Sequence, residues 1–284
     1  MHVKAYISVD LEGLPGVSSL TMLNPGNTQF NRAVKVLTRL LNTVIDELAT
    51  HGFDAIYVAD SHGLMTNIDY LELDSRAELV QGYPRQFSMV TLLDSSFNAA
   101  LFIGYHAAAG TPHGILDHTM SGRTFTEIRV NGERVSEFIL NSLYAGEHNV
   151  PVVLLAGDEH LRAEVEKYSP WTIFVPLKKG VSRYSASYPG IDKVTEALRE
   201  GVSKAVKKLK KGEVQPLKWS KPFKAELTLR DSLIADILEP LPIFKRIDAY
   251  RVEFAANTAS ELLGYIELIA HLGYGVDSLK NNIK

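Results

Sequence analysis

An α/β fold is the first expectation from the sequence: a mostly parallel sheet in three layers with helices on both faces, followed by a smaller α+β C-terminal region. Residues 5–9 form an apolar strand-like run, and residues 53–59 and 99–105 form two more, as strands buried on both faces require. Between the first two, Phe30, Val34, Leu37, Leu41, Val44 and Leu48 recur every three or four positions. This spacing predicts a helix from Asn27 or Thr28 to about Thr50, and strand, helix, strand implies a right-handed parallel crossover.

The remaining elements follow in order. Residues 78–81 read as a short strand, and residues 124–130 alternate toward Asn131-Gly132, a pair suited to a hairpin tip. Helical spacing from Arg134 to His148 puts Val135, Phe138, Ile139 and Leu143 on one side, with Glu137 and Asn141, four apart, on a neighbouring face. A buried strand is expected at 150–156, a helix from Gly157 to about Tyr168, and a short strand at 172–175 before a basic loop with Lys178, Lys179, Ser182 and Arg183. Residues 191–211 form an amphipathic helix, whose terminal Lys207, Lys208, Lys210 and Lys211 read as a solvated end favoured by the helix dipole. The proline-bearing stretch 212–222 reads as a linker, dividing a larger α/β unit (1–212) from a smaller α+β unit (213–284). In the latter, strands at 223–229 and 246–255 and helices at 232–238 and 258–271 are expected.

Composition narrows the chemistry. A chain of 284 residues, 45% hydrophobic, can bury a large core, and its formal charge of −3 has no basic excess that would suggest nucleic acid. With Cys at 0, thiolate metal sites, cysteine nucleophiles and disulfides are excluded, which leaves His, Asp and Glu as metal ligands. The chain opens on a strand-like run and lacks any uninterrupted apolar segment of ~18 residues, so a cytoplasmic location without membrane partners is expected.

Ligands of open parallel sheets collect at the carboxyl ends of the strands. Asp10 and Glu12 end the first strand and project together from an extended segment, where two like charges are tolerated best around a cation. His62 and His106 close the second and fourth strand-like runs. Together these four make a mixed carboxylate and imidazole set of the kind that holds one or two divalent ions. His118 follows the loop after His106 and can return over the same site, which suits a catalytic role. His113 reads as a surface or outer residue, His160 as part of an acidic helix start, and His2, His51, His148 and His271 as structural.

Ser8-Val9-Asp10-Leu11-Glu12-Gly13, Asp60-Ser61-His62, Gly104-Tyr105-His106, His118-Thr119-Met120 and Glu137-Phe138-Ile139-Leu140-Asn141 occur in that order. The pattern resembles the zinc-dependent D-aminopeptidase family, from residue 3 to about 190 and more weakly beyond. The resemblance implies that Asp10 bridges two zinc ions per subunit, that Glu12, His62, His106 and Glu137 complete their coordination, and that His118 is the catalytic histidine. Glu133 competes for the last ligand, but only Glu137 has the family's Asn four residues on. The loop before His118 departs from the family at His113 and Asp117.

By the same resemblance, the substrate is a short peptide with an N-terminal D-residue, of the D-Ala-D-Ala type, and subunits assemble into a ring-like decamer whose active sites face an internal channel. Two further functions suit the same residues: an amidase or phosphoesterase using the dinuclear centre, and a metal-free peptide binder in which Asp10 and Glu12 clasp a substrate ammonium.

Overall fold

The first apolar run becomes a strand with no exposed hydrophobic side chain, beside the middle strand of the larger sheet. The computed structural model describes residues 3–282. Its elements begin with β1 (Lys4–Val9), α1 (Phe30–Thr50), β2 (Ala55–Asp60), β3 (Ala77–Val80) and β4 (Ala99–Tyr105). There follow β5 (Phe125–Val130), β6 (Glu133–Arg134), α2 (Glu137–Glu147), β7 (Val152–Asp158), α3 (Arg162–Tyr168) and β8 (Ile173–Ser182). The rest is β9 (Ser185–Ser187), α4 (Ile191–Lys210), β10 (Phe223–Leu229), α5 (Ser232–Leu238), β11 (Lys245–Arg246), β12 (Arg251–Ala256) and α6 (Ala259–Asn282).

Seven strands in the order β3-β2-β1-β4-β7-β8-β9 form the main sheet, parallel except for β9. Alternation along β1 sends Ala5, Ile7 and Val9 to one face, where Leu37, Leu41 and Val44 of α1 and Leu198 and Val202 of α4 join them in one apolar cluster. Tyr6 leans the other way, into a second cluster with Phe102 and Tyr105 of β4 and Phe138 and Leu143 of α2. A five-stranded antiparallel sheet, β11-β12-β10-β5-β6, packs into that second cluster together with α6. Its strands come from both sides of residue 212.

The α/β architecture is as expected, and several boundaries differ for identifiable reasons. The helix read from Arg134 begins at Glu137, because Glu133 and Arg134 pair back on Val130 and Arg129 as β6. Asn131 and Gly132, at φ 54° and 86°, make the tight turn that allows it. β7 continues through Gly157 and Asp158, where a helix start was expected, and α3 begins only at Arg162. β8 extends through the expected basic loop to Ser182, held by β9, and α6 runs to Asn282 instead of stopping near His271.

Connections from β1 run to one side and from β4 to the other, so the topological switch point lies between these two strands. There the backbones nearly touch: Asp10 N donates to Ile103 O at 2.8 Å and Gly13 N to Gly104 O at 2.7 Å. Gly104 has φ +75°, and a Cβ on it would lie 2.0 Å from Asp10 O. Any side chain there must push β1 and β4 apart. Gly104→Ala is therefore expected to lower unfolding free energy by on the order of 3 kcal/mol or more in denaturant titration; a loss below ~1 kcal/mol would mean the strand ends can separate freely.

Candidate metal centre

At this switch point five elements deliver polar side chains to one buried cluster. Asp10 leaves β1, His62 follows β2, His106 follows β4, His118 comes from the loop before β5, and Glu137 is the first residue of α2. β1 has ended by Glu12, which sits in a turn rather than an extended segment. Both acids still reach His62: its Nδ1 is 2.8 Å from Glu12 Oε2 and 3.5 Å from Asp10 Oδ1. His106 Nε2 lies 3.5 Å from Asp10 Oδ2 and 3.3 Å from Glu137 Oε2. His118 Nε2 is 3.7 Å from Glu137 Oε1, and its ring stacks on that of His106 with centroids 4.2 Å apart. Donor atoms fall into two groups, Asp10 with Glu12 and His106, and His106 with His118 and Glu137, each within 4.8 Å.

Each imidazole is oriented from behind. His62 Nε2 faces Leu23 O at 3.0 Å, His106 Nδ1 faces Ala107 O at 3.0 Å, and His118 Nδ1 faces Leu116 O at 2.9 Å. A carbonyl oxygen only accepts, so those nitrogens carry the hydrogens and the other nitrogen of each ring is turned toward the carboxylates. Glu137 is held in the same way, with Oε1 accepting from Met120 N at 2.7 Å. This leaves His106 Nε2 and Glu137 Oε2 buried without a hydrogen-bond partner. Lone pairs aimed at carboxylate oxygens repel unless something positive stands between them.

The electrostatics of these groups make the same demand. Burial, reinforced by the Glu12 charge, holds the Asp10 carboxyl well above its usual range. Burial opposes ionisation of Glu12 and Glu137 too, yet His62 draws the Glu12 pKa well below normal, and His106 lowers that of Glu137. Burial alone would depress the imidazoles, but Glu12 and Asp10 raise His62 well above its usual value, and Glu137 pushes His106 up to about 10. His118 is lowered, by burial and by His106. A field that pulls protons onto two imidazoles attracts any small cation, and nitrogen and oxygen donors of this kind suit a divalent transition metal.

The other candidates lie outside the cluster. Glu133 pairs with Lys167 at 3.0 Å. His113 faces Val181 O, His160 sits beside Asp158, His51 contacts Glu47 and Ser203, His148 packs on Tyr144 and His271 stacks on Tyr83; His2 is outside the described residues. Three supporting groups were not legible in the sequence. The Met120 amide is one. Lys178, read as a loop residue, is 2% exposed with Nζ donating to Val17 O; burial brings its pKa down to about 7 against the opposing pull of Asp158, Glu12 and Asp10. Glu164 of α3 accepts from both the amide and the hydroxyl of Ser136, the residue just before α2, and burial pushes its pKa up to about 7. No local signal marks the last two, since both sit at positions where a solvated charge would serve equally well.

A buried imidazole and carboxylate cluster at the carboxyl ends of parallel strands, open to solvent at one histidine, has the make-up of a metal centre accessible to a small substrate. The chain belongs to the D-aminopeptidase family (Peptidase_M55), whose model matches residues 3–268. It is 34% identical over 215 residues to a D-aminopeptidase of Bacillus subtilis (strain 168), spanning 76% of this chain and 77% of the relative. A solved structure, described as the Zn-dependent D-aminopeptidase DppA from Bacillus subtilis, a self-compartmentalizing protease, superimposes with a TM-score of 0.90 and 29% identity. The match covers 96% of this chain and 98% of that one.

Adding a divalent transition metal to chelator-treated protein is expected to raise the melting temperature, by the equivalent of ~2.7 kcal/mol at a hundredfold excess over Kd. Asp10→Asn should abolish most of that rise; a wild-type melting curve indifferent to metal would remove the metal reading.

Proposed function

We propose that this chain is a dinuclear zinc D-aminopeptidase that hydrolyses short peptides with an N-terminal D-residue, of the D-Ala-D-Ala type. The observation that carries two ions rather than one is Asp10, which turns Oδ1 toward His62 and Oδ2 toward His106, each at 3.5 Å. One carboxylate thus faces two imidazoles from opposite oxygens, an arrangement that suits a bridging ligand. On this reading Asp10, Glu12, His62, His106 and Glu137 would hold the zinc pair, with Asp10 placed to serve both ions. When bound, the zinc pair supplies Lewis acidity for the scissile carbonyl and an acidified water near neutral pH. The zinc dependence of the structural relative supports the metal, and its name the substrate stereochemistry.

His118 has the geometry of a proton carrier. Its Nδ1 is committed to Leu116 O, its Nε2 faces Glu137, and its side chain is 22% exposed against 10% for His62 and 0% for His106. Of the three imidazoles it is therefore the one able to take a proton from water at the cluster and pass it to a departing amine. Its place beside His106 and Glu137 also suits a third donor to the second ion. The relative's description as self-compartmentalizing supports a ring-like homo-oligomer for this chain too, with a decamer as the proposed form. Among the described residues no helix is long and apolar enough to cross a membrane, and we place the enzyme in the cytoplasm.

Zinc content and turnover of D-Ala-D-Ala against L-Ala-L-Ala, measured on one preparation, test the proposal. Two zinc ions per chain with selective cleavage of the D-peptide are expected, and no zinc uptake or no D-preference would overturn it. His118→Ala is expected to retain both ions and lose ~10²–10⁴-fold in kcat. Loss of one zinc instead would make His118 a ligand.

A further inference from the structure

Behind the cluster, on the side away from solvent, lies a chain of polar groups that the chemistry above does not use. Ser8, Tyr105 and Asn141 have 0% exposure and Ser61 6%, amid an otherwise apolar layer. Asn141 Nδ2 donates to Tyr105 Oη at 2.9 Å, Tyr105 Oη lies 2.8 Å from Ser8 Oγ, Ser8 Oγ lies 2.7 Å from Ser61 Oγ, and Ser61 Oγ donates to Ala59 O at 3.1 Å.

Donor counting allows one direction only. The Asn141 amide donates to Tyr105, whose own proton is then satisfied only by Ser8; Ser8 in turn donates to Ser61, and the Ser61 proton goes to a carbonyl, Ala59 O or Met89 O. Every hydroxyl in the chain gives one bond and receives one. Removing an inner member, Ser8 or Tyr105, leaves two buried groups unpaired, and removing the terminal Asn141 amide leaves one.

The members are also neighbours of the candidate ligands. Ser8 precedes Asp10 by two residues on the same side of the strand, Ser61 adjoins His62, Tyr105 adjoins His106, and Asn141 stands one helical turn after Glu137. The chain therefore ties together the four elements that deliver Asp10, His62, His106 and Glu137. Tyr105 is the hub, since its hydroxyl is bonded to both Asn141 of α2 and Ser8 of β1. We infer that the Ser8–Ser61–Tyr105–Asn141 hydrogen-bond chain, with Tyr105 at its centre, is a positioning device that sets the spacing of the metal-binding side chains; the inference rests on the dinuclear reading above. Outer-layer groups that orient metal ligands contribute ~10–100-fold to affinity.

Tyr105→Phe removes the central hydroxyl and keeps the ring that stacks on Phe102. Tyr6→Phe is the matched control: Tyr6 is equally buried, and its hydroxyl bonds Thr91 O at 2.7 Å and Met89 O at 3.3 Å without joining two ligand-bearing elements. Both variants should melt lower as chelator-treated protein. Zinc affinity by competition with a chromogenic chelator should fall at least tenfold for Tyr105→Phe and stay within about twofold for Tyr6→Phe. Ser8→Ala should weaken zinc as well, and the double variant Ser8→Ala/Tyr105→Phe should lose less than the product of the two single losses, because the groups act as one unit. If Tyr105→Phe binds two zinc ions with wild-type affinity and only its melting temperature falls, the hydroxyl chain is core hydrogen bonding and the inference is overturned. A wild-type protein that binds no zinc would instead overturn the dinuclear reading.

Discussion

Buried negative charge is the constraint on which this structure depends. Asp10, Glu12 and Glu137 are each 3% exposed and stand within contact of one another's imidazole partners. Taking an ion out of water costs several kcal/mol even after a protein relaxes around it, and three carboxylates in one pocket add mutual repulsion. Imidazoles alone offset this only by holding protons. A divalent cation offsets it more fully, because it satisfies the imidazole lone pairs and the carboxylates at once. The remaining features of the site serve to keep those donors where a cation can use them.

The fold meets that need with backbone before side chains. A switch point between β1 and β4 gathers strand ends, and glycine at 104 lets the two backbones approach until Asp10 and His106 face each other. On the opposite side, α2 begins at Glu137 itself, so the carboxylate sits at the positive end of a helix dipole. Ser136 does not cap the helix with its side chain; its amide and hydroxyl go to Glu164, and the Met120 amide holds the other side of Glu137. Glu137 is thus oriented by a group from outside its own helix, and His62 by Leu23 O, whereas His106 and His118 are held by carbonyls of their own segments.

Surface charge contributes little by comparison. Pairs such as Arg39–Asp192, with side chains 50% and 89% exposed, are worth a fraction of a kcal/mol once solvent and salt screen them. The two apolar clusters on either face of the main sheet supply the stability, and the polar layer at its carboxyl edge spends some of it to hold charge in a fixed geometry.

Periodicity and composition were enough to read the α/β class, α1, β4, β10 and α5, because each depends on residues within one local segment. The absence of cysteine restricted the donors to nitrogen and oxygen, and strand ends occupied by Asp10, His62 and His106 were visible in the order of residues. The α2 start at Glu137 was not, since it depends on Glu133 and Arg134 pairing with β5. Nor was the role of Lys178 or Glu164: a charged residue looks solvated in sequence, and only packing removes its water. His62 meets Glu12 across 50 residues and Lys178 meets Val17 across 161. The sequence by itself determined which donors exist and which segments carry them. Tertiary structure decided which of them lose solvent together, because desolvation is a property of packed layers and not of any local run of residues.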